Sequence, residues 1–593
     1  MGALMDVFVV KFRDMIDTYP KVLGDRNLLK NILNDTFPTE HKEVNLLLNG
    51  FDCGIVSLQS VPEDEIQTKM YQIQNQIRQA FGISEGNASW VVGTWLAALR
   101  LTNEFEADAG CNKRDTSFIS RLKDCFDTMV VYKDLNQNNF ISSFKLPSFM
   151  RDFILKNFQD DDGVVDVDGA ADFIRQFIPK KDEWKSIQNR IINNGEAVKI
   201  LAKVSININI ATGEISFSLP DYGLSTSNTT ISREVWSACS DALLKSEENW
   251  GVIELGYQYP YDSKTKGKIK LMDYKDFCPY EVDPEEFKDA RAAFSLDEWI
   301  DIVLGAVDYN AQGYGSRQQK LAMLQRLLPF VEKRINLMEL APAGTGKSYL
   351  FGQVSRYGWL VSGKVTRAKL IYDVGKKQDG IVALRDFVAL DEIREAAYMQ
   401  DDEIQAALQA IMENGKYRAG DNHEVNVDAG IIFLGNIKSK AMDEYSNMLI
   451  ELPRPFQQTQ FLDRIHGFIK GWELPRMNDD LKVCGWALNS EYFSSILHEL
   501  RDDPSYRAIV DAWIDMPPKA DTRDTEAIKR ICTAYLKLLF PHVRQPGDIS
   551  VRDFNRYCLR PAMGMREIIR IQMGLIDEKE AGKTVPAFSI KDV

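Results

Sequence analysis

The 593-residue sequence has little that would place it in a membrane, in an oxidising compartment or on a metal. Its eight cysteines and five histidines are scattered, with no C-x-x-C pair, which describes reduced, cytosolic usage without a zinc site or a disulfide framework. No apolar stretch approaches the roughly 18–20 residues that span a bilayer. The N-terminus (Met1–Asp6) lacks a basic region followed by an apolar one, so no secretory signal is read. Position 6 lacks the Ser or Thr that myristoylation needs. A net charge of −14 excludes a generally basic nucleic-acid coat, so any DNA contact must come from a locally basic surface. What is present, 45% hydrophobic and 27% charged residues, suits a globular cytosolic protein of several domains.

The informative stretch is Ala341–Ser348, which follows the apolar run Ile335–Leu340. A buried strand, a glycine-rich turn and a helix (expected over Tyr349–Gly358) form the phosphate cradle of a P-loop NTPase. Ala343, Gly344, Thr345, Gly346, Lys347 and Ser348 are the expected ATP-binding residues. The glycines let backbone N–H groups approach phosphate, and the helix N-terminus favours negative charge. Lys347 reaches the β- and γ-phosphates; Ser348 holds Mg²⁺ through its hydroxyl. Ala341 stands where the motif has its first glycine, so the cradle is expected to be adjusted, not abolished.

Partners follow in order. Phe387–Leu390 reads as a buried strand delivering Asp391 to Mg²⁺ and Glu392 to the attacking water. Ala429–Gly435 reads as another strand, ending in Asn436, a γ-phosphate or lytic-water contact. This order matches the AAA+ class of P-loop ATPase. By that resemblance Arg464 is an arginine finger for a neighbouring subunit, against the plainer reading of a surface Asp463–Arg464 pair. Gly564–Arg570 resembles a helix start bearing a second sensor, with Arg566 on the γ-phosphate and Arg560 as its rival.

Six segments are expected: a helical interaction module (1–104), a helical subdomain (105–180), a β-rich domain (181–290), the α/β ATPase core (291–470), a helical lid (471–575) and a tail (576–593). In the first, Val7–Ile16, Leu28–Phe37, Ile66–Phe81 and Ala88–Leu101 carry helical periodicity, with a turn expected across Leu46–Leu58. Asp134–Asn139 is rejected as a calcium loop, because Asn139 stands where glycine belongs and Lys145 where the bidentate Glu belongs. In the third, Lys264, Lys266, Lys268 and Lys270 share one parity, either a solvated hairpin or a DNA-backbone contact. Met412–Gly420 reads as a helix end and a basic hairpin, with Lys416 and Arg418 on one face as a polymer grip; Tyr417 would suit polypeptide instead.

Leu337–Leu350, Leu360–Asp373, Phe387–Ile393, Met412–Gly420 and Phe461–Trp472 resemble BrxL, the Lon-related AAA+ family of bacterial BREX anti-phage systems. The similarity covers about residues 110–575. It implies a homo-oligomeric ring, hexameric or of stacked hexamers, that hydrolyses ATP with Mg²⁺, engages DNA in phage defence and is organised somewhat like MCM helicases. Family chains usually continue into a Lon-protease-like domain, whereas Ile576–Val593 is too short for one; the block at 1–104 is also unusual. A variant defence protein without protease activity is the expectation. Two alternatives stand beside it: a protein-remodelling ATPase, and a nucleotide-regulated scaffold whose first 104 residues recruit an effector.

Overall fold

The computed structural model describes residues 7–38, 41–61, 66–81, 85–99, 116–135, 146–160, 162–209, 212–244, 249–260, 266–276, 282–375, 377–419, 423–437, 442–518 and 520–591. Two compact units are present: Met1–Gln137 with Ala293–Arg326 and Gly471–Ala487, and Asn138–Ala292 with Leu327–Lys470 and Leu488–Val593. Lys264 and the core of the rejected calcium loop (136–139) lie outside the described residues.

In the first unit, helices Val7–Thr18, Arg26–Thr36, His41–Asp52, Ile66–Phe81 and Glu85–Ala98 enclose one apolar core. Its centre is Trp95, edge-on to Phe12 at 5.0 Å, with its indole N–H donating to the Leu47 carbonyl at 3.1 Å. A buried indole needs such a partner. The turn expected across Leu46–Leu58 is confined to Cys53–Gly54, because Leu46, Leu47 and Leu48 are buried on the third helix. The same unit carries the ladder of Val130–Asp134 with Cys484–Leu488, and helix Leu296–Ala306. Lys133, wholly buried, donates to Asp308 at 3.1 Å and to the carbonyls of Gly305 and Ala306, so its charge is paired and solvated by the end of that helix.

In the second unit, a five-stranded sheet begins with the hairpin Val198–Asn209 and Glu214–Ser218, paired antiparallel from Asn209 opposite Glu214. Asn249–Gln258 and Lys268–Asp276 form a second antiparallel pair, and Thr229–Ile231 adds a parallel edge. Alternate residues of Asn249–Leu255 are buried, the pattern of a sheet covered on one face.

The other sheet of this unit is parallel. Its strands are β1 (Leu337–Ala341), β2 (Gly358–Val361), β3 (Phe387–Leu390), β4 (Gly430–Asn436) and β5 (Gly467–Lys470), in the order β5-β1-β4-β3-β2. Every residue of β1 and β3 is buried; β3 is apolar throughout, and β1 is apolar except for the buried Glu339. Helix α1 (Lys347–Gln353) follows β1 and ends short of the expected Gly358, since that glycine opens β2 opposite Phe387. Helix α2 (Asp402–Asn414) leads to the hairpin Lys416–Ala419 and His423–Asn426. Beyond β5, helices Ser490–Arg501, Ser505–Trp513, α3 (Thr522–Leu539) and α4 (Arg560–Ile576) complete the unit. Gly564 lies inside α4, not at a helix start, because the helix runs on from the π-helical turn Asn555–Leu559. No helix among the described residues is long and apolar enough to cross a membrane.

Candidate functional site

Parallel strands put all their C-terminal ends on one edge, and the nucleotide-type residues gather there. Gly344 and Gly346 have φ of 84° and 80°, left-handed values that a side chain resists, and they turn the chain from β1 into α1. Lys347 is buried and donates to Asn436 Oδ1 at 3.1 Å, joining the ends of β1 and β4. Ser348 Oγ donates to Asp391 Oδ2 at 2.7 Å. Thr345 is buried beneath the turn. The structure thus brings Gly344, Thr345, Gly346, Lys347, Ser348, Asp391 and Asn436 to one edge.

Asp391 and Glu392 are treated differently by the fold. Asp391 is buried, and its N–H extends the ladder by donating to Val361 O at 2.9 Å. Glu392 is exposed at the sheet edge with φ 52°, and its N–H donates to Asp391 Oδ1 at 2.9 Å. A left-handed glutamate costs on the order of 1 kcal/mol, a strain of the kind that gathers at functional sites. A hydroxyl and a carboxylate converging beside exposed oxygen acceptors are a hard-donor set that fits Mg²⁺ together with phosphate oxygens.

The opposite edge holds the arginines. His466 N–H donates to Asn336 O at 2.8 Å, and Asn336 N–H donates to His466 Nδ1 at 3.0 Å, which fixes Arg464 beside the N-terminal end of β1. Five residues of strand, about 16 Å, separate that end from the P-loop. Arg464 Nε lies 2.7 Å from Glu413 Oε2, and its Nη1 donates to Gln460 O. Arg523 takes the same Glu413 through both carboxylate oxygens at 2.9 Å and reaches Asp463 at 2.8 Å.

Arg566 belongs to this edge too, and it is a buried clamp where an exposed phosphate contact was expected. Its guanidinium has no solvent exposure. It donates to Asp463 Oδ1 at 2.6 Å, Asp524 Oδ1 at 2.7 Å, and the carbonyls of Asp463 and Ile465 at 3.1 and 2.7 Å. Burial pushes the Asp463 carboxyl up, but the charge of Arg566 and the hydrogen bond from Arg523 hold it below its usual value. Arg560, the rival, is exposed at the first residue of α4.

The basic hairpin hangs from the same end of α2. Lys416 and Arg418 both face Glu424, at 2.7 and 3.7 Å, and both stay largely in water. Tyr417 points away from them and accepts from Arg367 at 2.6 Å. In the other sheet Lys268 and Lys270 flank buried Ile269, Lys268 lying 3.8 Å from Glu214, and Lys266 is exposed.

Asn336 escaped the sequence reading. Besides His466 it donates to Met412 O and Arg464 O at 3.5 and 3.4 Å and accepts from Ile431 N–H at 3.2 Å. One amide therefore ties β1, the end of α2, the Arg464 turn and β4. Its only signal was a polar residue in the mostly apolar run Ile335–Leu340, a signal Glu339 shares.

Strand order and P-loop edge define an AAA+-like α/β nucleotide-binding core. The family model described as "Lon-like protease BrxL-like, ATPase domain" matches residues 269–586, and that of the "BREX system Lon protease-like protein BrxL N-terminal" matches 124–257. The chain belongs to this BrxL-like family. It is 28% identical over 465 residues to the Lon-like protease BrxL of Escherichia coli O9:H4 (strain HS), covering 76% of this chain and 64% of that one. It is 24% identical over 447 residues to the Lon-like protease BrxL of Bacillus cereus (strain H3081.97), covering 74% and 64%. An uncharacterised protein, ORF426 of Acidianus filamentous virus 1, is 26% identical over 190 residues, covering 28% and 44%. The chain thus spans about 64% of the length of its two bacterial relatives.

Proposed function

We propose that the protein is an ATPase of bacterial phage defence that works as a homo-oligomeric ring on DNA, with ATP hydrolysed between neighbouring protomers. The observation that carries this reading is the separation of Arg464 from its own P-loop by the length of β1. An arginine at the N-terminal edge of the sheet serves a nucleotide only across a seam.

The residues divide the work by position. Lys347, aligned by Asn436, and the backbone of Gly344–Ser348 would hold the phosphates; Ser348 and Asp391, already hydrogen-bonded to each other, would hold Mg²⁺. Bound Mg²⁺ supplies charge neutralisation for the leaving phosphate oxygens. Glu392, projecting from the edge, orients the water and takes its proton, while Asn436 keeps Lys347 aligned and contacts the γ-phosphate end. Arg464 supplies positive charge to the neighbour's site. Arg566 has no place in this chemistry; it anchors the helical lid to the turn that carries Arg464.

DNA is the preferred polymer because Lys416 and Arg418, on the first strand of the hairpin, stay largely in water, whereas Tyr417, the residue suited to polypeptide, is engaged by Arg367. The test is ATPase rate against protein concentration, with duplex DNA or an unfolded protein added. Turnover that rises with assembly and with DNA supports the reading. Stimulation by unfolded protein alone turns it into a remodelling enzyme, and turnover at full rate by monomers ends it.

A further inference from the structure

Arg334 and Arg464 occupy matching places on neighbouring strands. Leu337 of β1 pairs with Gly467 of β5, and the mutual hydrogen bonds of Asn336 and His466 carry that pairing one residue back. Each arginine stands three residues ahead of its strand's paired residue. Adjacent parallel strands lie about 4.8 Å apart, so both arginines enter the same N-terminal edge of the sheet. They are held differently. Arg464 is closed on the Glu413 carboxylate by an ion pair, whereas Arg334 reaches only the Glu413 carbonyl, Nη2 to O at 3.2 Å. The Arg334 backbone has φ 56°, a left-handed conformation that arginine resists, and its N–H donates to Asp428 O at 3.0 Å. Gly415, just past the end of α2, fixes the side chain: a Cβ there would fall 2.5 Å from Arg334 Nε, so only glycine leaves room for the guanidinium. Nε is buried without an acceptor, and Nη1 makes no hydrogen bond among the described residues. The carboxylates whose charge reaches Arg334 are taken by other cations: Asp428 by Lys333 at 2.9 Å, and Glu526 by Arg507 at 2.8 Å and by Arg530. Burial, and then the charge of Arg530, push the Arg334 pKa down.

We propose that Arg334 is a second arginine that crosses the seam, binding the terminal phosphates of the neighbouring protomer's nucleotide beside Arg464. This rests on the seam reading above and adds a division of labour to it. Arg464 must leave the Glu413 carboxylate before it can reach a neighbour. Arg334 has no ion pair to break among the described residues and is already fixed at its backbone, at Nε and at Nη2. A planar guanidinium suits the paired oxygens of a phosphate. A contact made without rearrangement is alike in the bound and the reacting state, so Arg334 acts on affinity and assembly, and Arg464 on rate. The bond to the Glu413 carbonyl also caps α2, and a purely capping role would show in stability alone.

The experiment compares the full chain with Arg334→Gln and Arg334→Gly, the second suited to φ 56°, by sedimentation with ATPγS, turnover against ATP concentration, and melting without nucleotide. Both variants are expected to need about tenfold more protein for half-assembly and about tenfold more ATP for half-maximal rate, with a smaller loss in kcat. Mixing Arg334→Gln with Lys347→Ala subunits is expected to restore a component with the wild-type KM, from seams that pair an intact P-loop with an intact Arg334. A KM that stays high in the mixture assigns Arg334 to its own chain and overturns the inference. Folded variants with unchanged half-assembly and KM overturn it too, whether or not their melting temperature falls. In either case the seam reading stands if mixtures of Arg464→Ala and Lys347→Ala recover activity. A wild-type chain that does not assemble with ATPγS, and turns over at one specific rate at every protein concentration, overturns both. If Arg334→Gln does not fold, Arg334→Gly decides by the same measures.

Discussion

Arg464 is held by Glu413 of its own chain, Nε to Oε2 at 2.7 Å, while Arg523 grips that carboxylate from the other side. Glu413 closes the helix that leads into the Lys416 hairpin, so under the proposed reading an arginine that moves to a neighbour's nucleotide loosens the root of the polymer contact. Arg464→Ala is expected to lower turnover by about 10³-fold or more while leaving ATP binding intact. The sharper measurement mixes Arg464→Ala with Lys347→Ala subunits. Each is inactive alone, and together they recover activity at seams pairing an intact lysine with an intact arginine. No recovery in mixed assemblies would remove Arg464 from the seam.

Glu392 separates stability from activity. Its φ of 52° suits glycine, so Glu392→Gly is expected to keep or slightly raise the melting temperature although it removes a side chain. Both Glu392→Gly and Glu392→Gln are expected to lose about 10²–10⁴ in kcat, with nucleotide affinity retained. Wild-type turnover in the glutamine variant would assign the base elsewhere.

Arg566 is expected to behave as a buried clamp. Arg566→Ala leaves Asp463 and Asp524 facing an emptied space and is expected to destabilise the fold by roughly 3–5 kcal/mol. Urea unfolding of the isolated variant reads this directly. A variant as stable as wild type, with only hydrolysis impaired, would return Arg566 to the nucleotide.

Acid is expected to destabilise the protein in two stages. Burial, helped by the charge of Arg291, lowers the His542 pKa from 6.5 to about 4, and burial lowers that of His466 well below 6.5. A depressed pKa contributes stability above the unfolded value and loses it as pH falls, so the melting temperature drops between pH 6.5 and 4. Burial opposes ionisation of Glu526, but the hydrogen bond from Arg507 and the charge of Arg530 hold its pKa at about 2, giving a further loss between pH 4.5 and 2. His542→Phe is expected to flatten the first stage. An identical pH profile in that variant would discharge His542 from it.

Glu424 restrains the hairpin. Glu424→Gln frees Lys416 and Arg418 from their shared carboxylate and is expected to tighten duplex binding several-fold with a steeper salt slope, whereas Lys416→Glu with Arg418→Glu weakens binding and flattens it. Equal salt slopes in all three proteins would take the hairpin off the DNA path.

The nucleotide edge was legible in the sequence because each of its parts is local. An apolar run followed by glycines and Lys347-Ser348, or by Asp391-Glu392, declares a buried strand and what it delivers. The opposite edge was not legible. Asp463, Asp524 and Arg566 are far apart along the chain and meet only through the packing of α3 and α4 beneath β5, so Arg566 read as a γ-phosphate contact and its carboxylate partners went unseen. Gly564 misled in the same way: glycine marks many helix starts, but here the π-helical turn before it carries the helix through. Asn336 was hidden by its neighbours, since a single amide in an apolar run does not say which four elements it joins.

The length of β1 has a geometric consequence. With lysine at one end of a five-residue strand and arginine at the other, the contact proposed between protomers joins two unlike surfaces, head to tail. Such a contact propagates: it closes into a circle when its rotation divides a full turn, and otherwise winds on as a helical filament. A substitution that tilts Arg464 by a few degrees therefore risks turning rings into fibres.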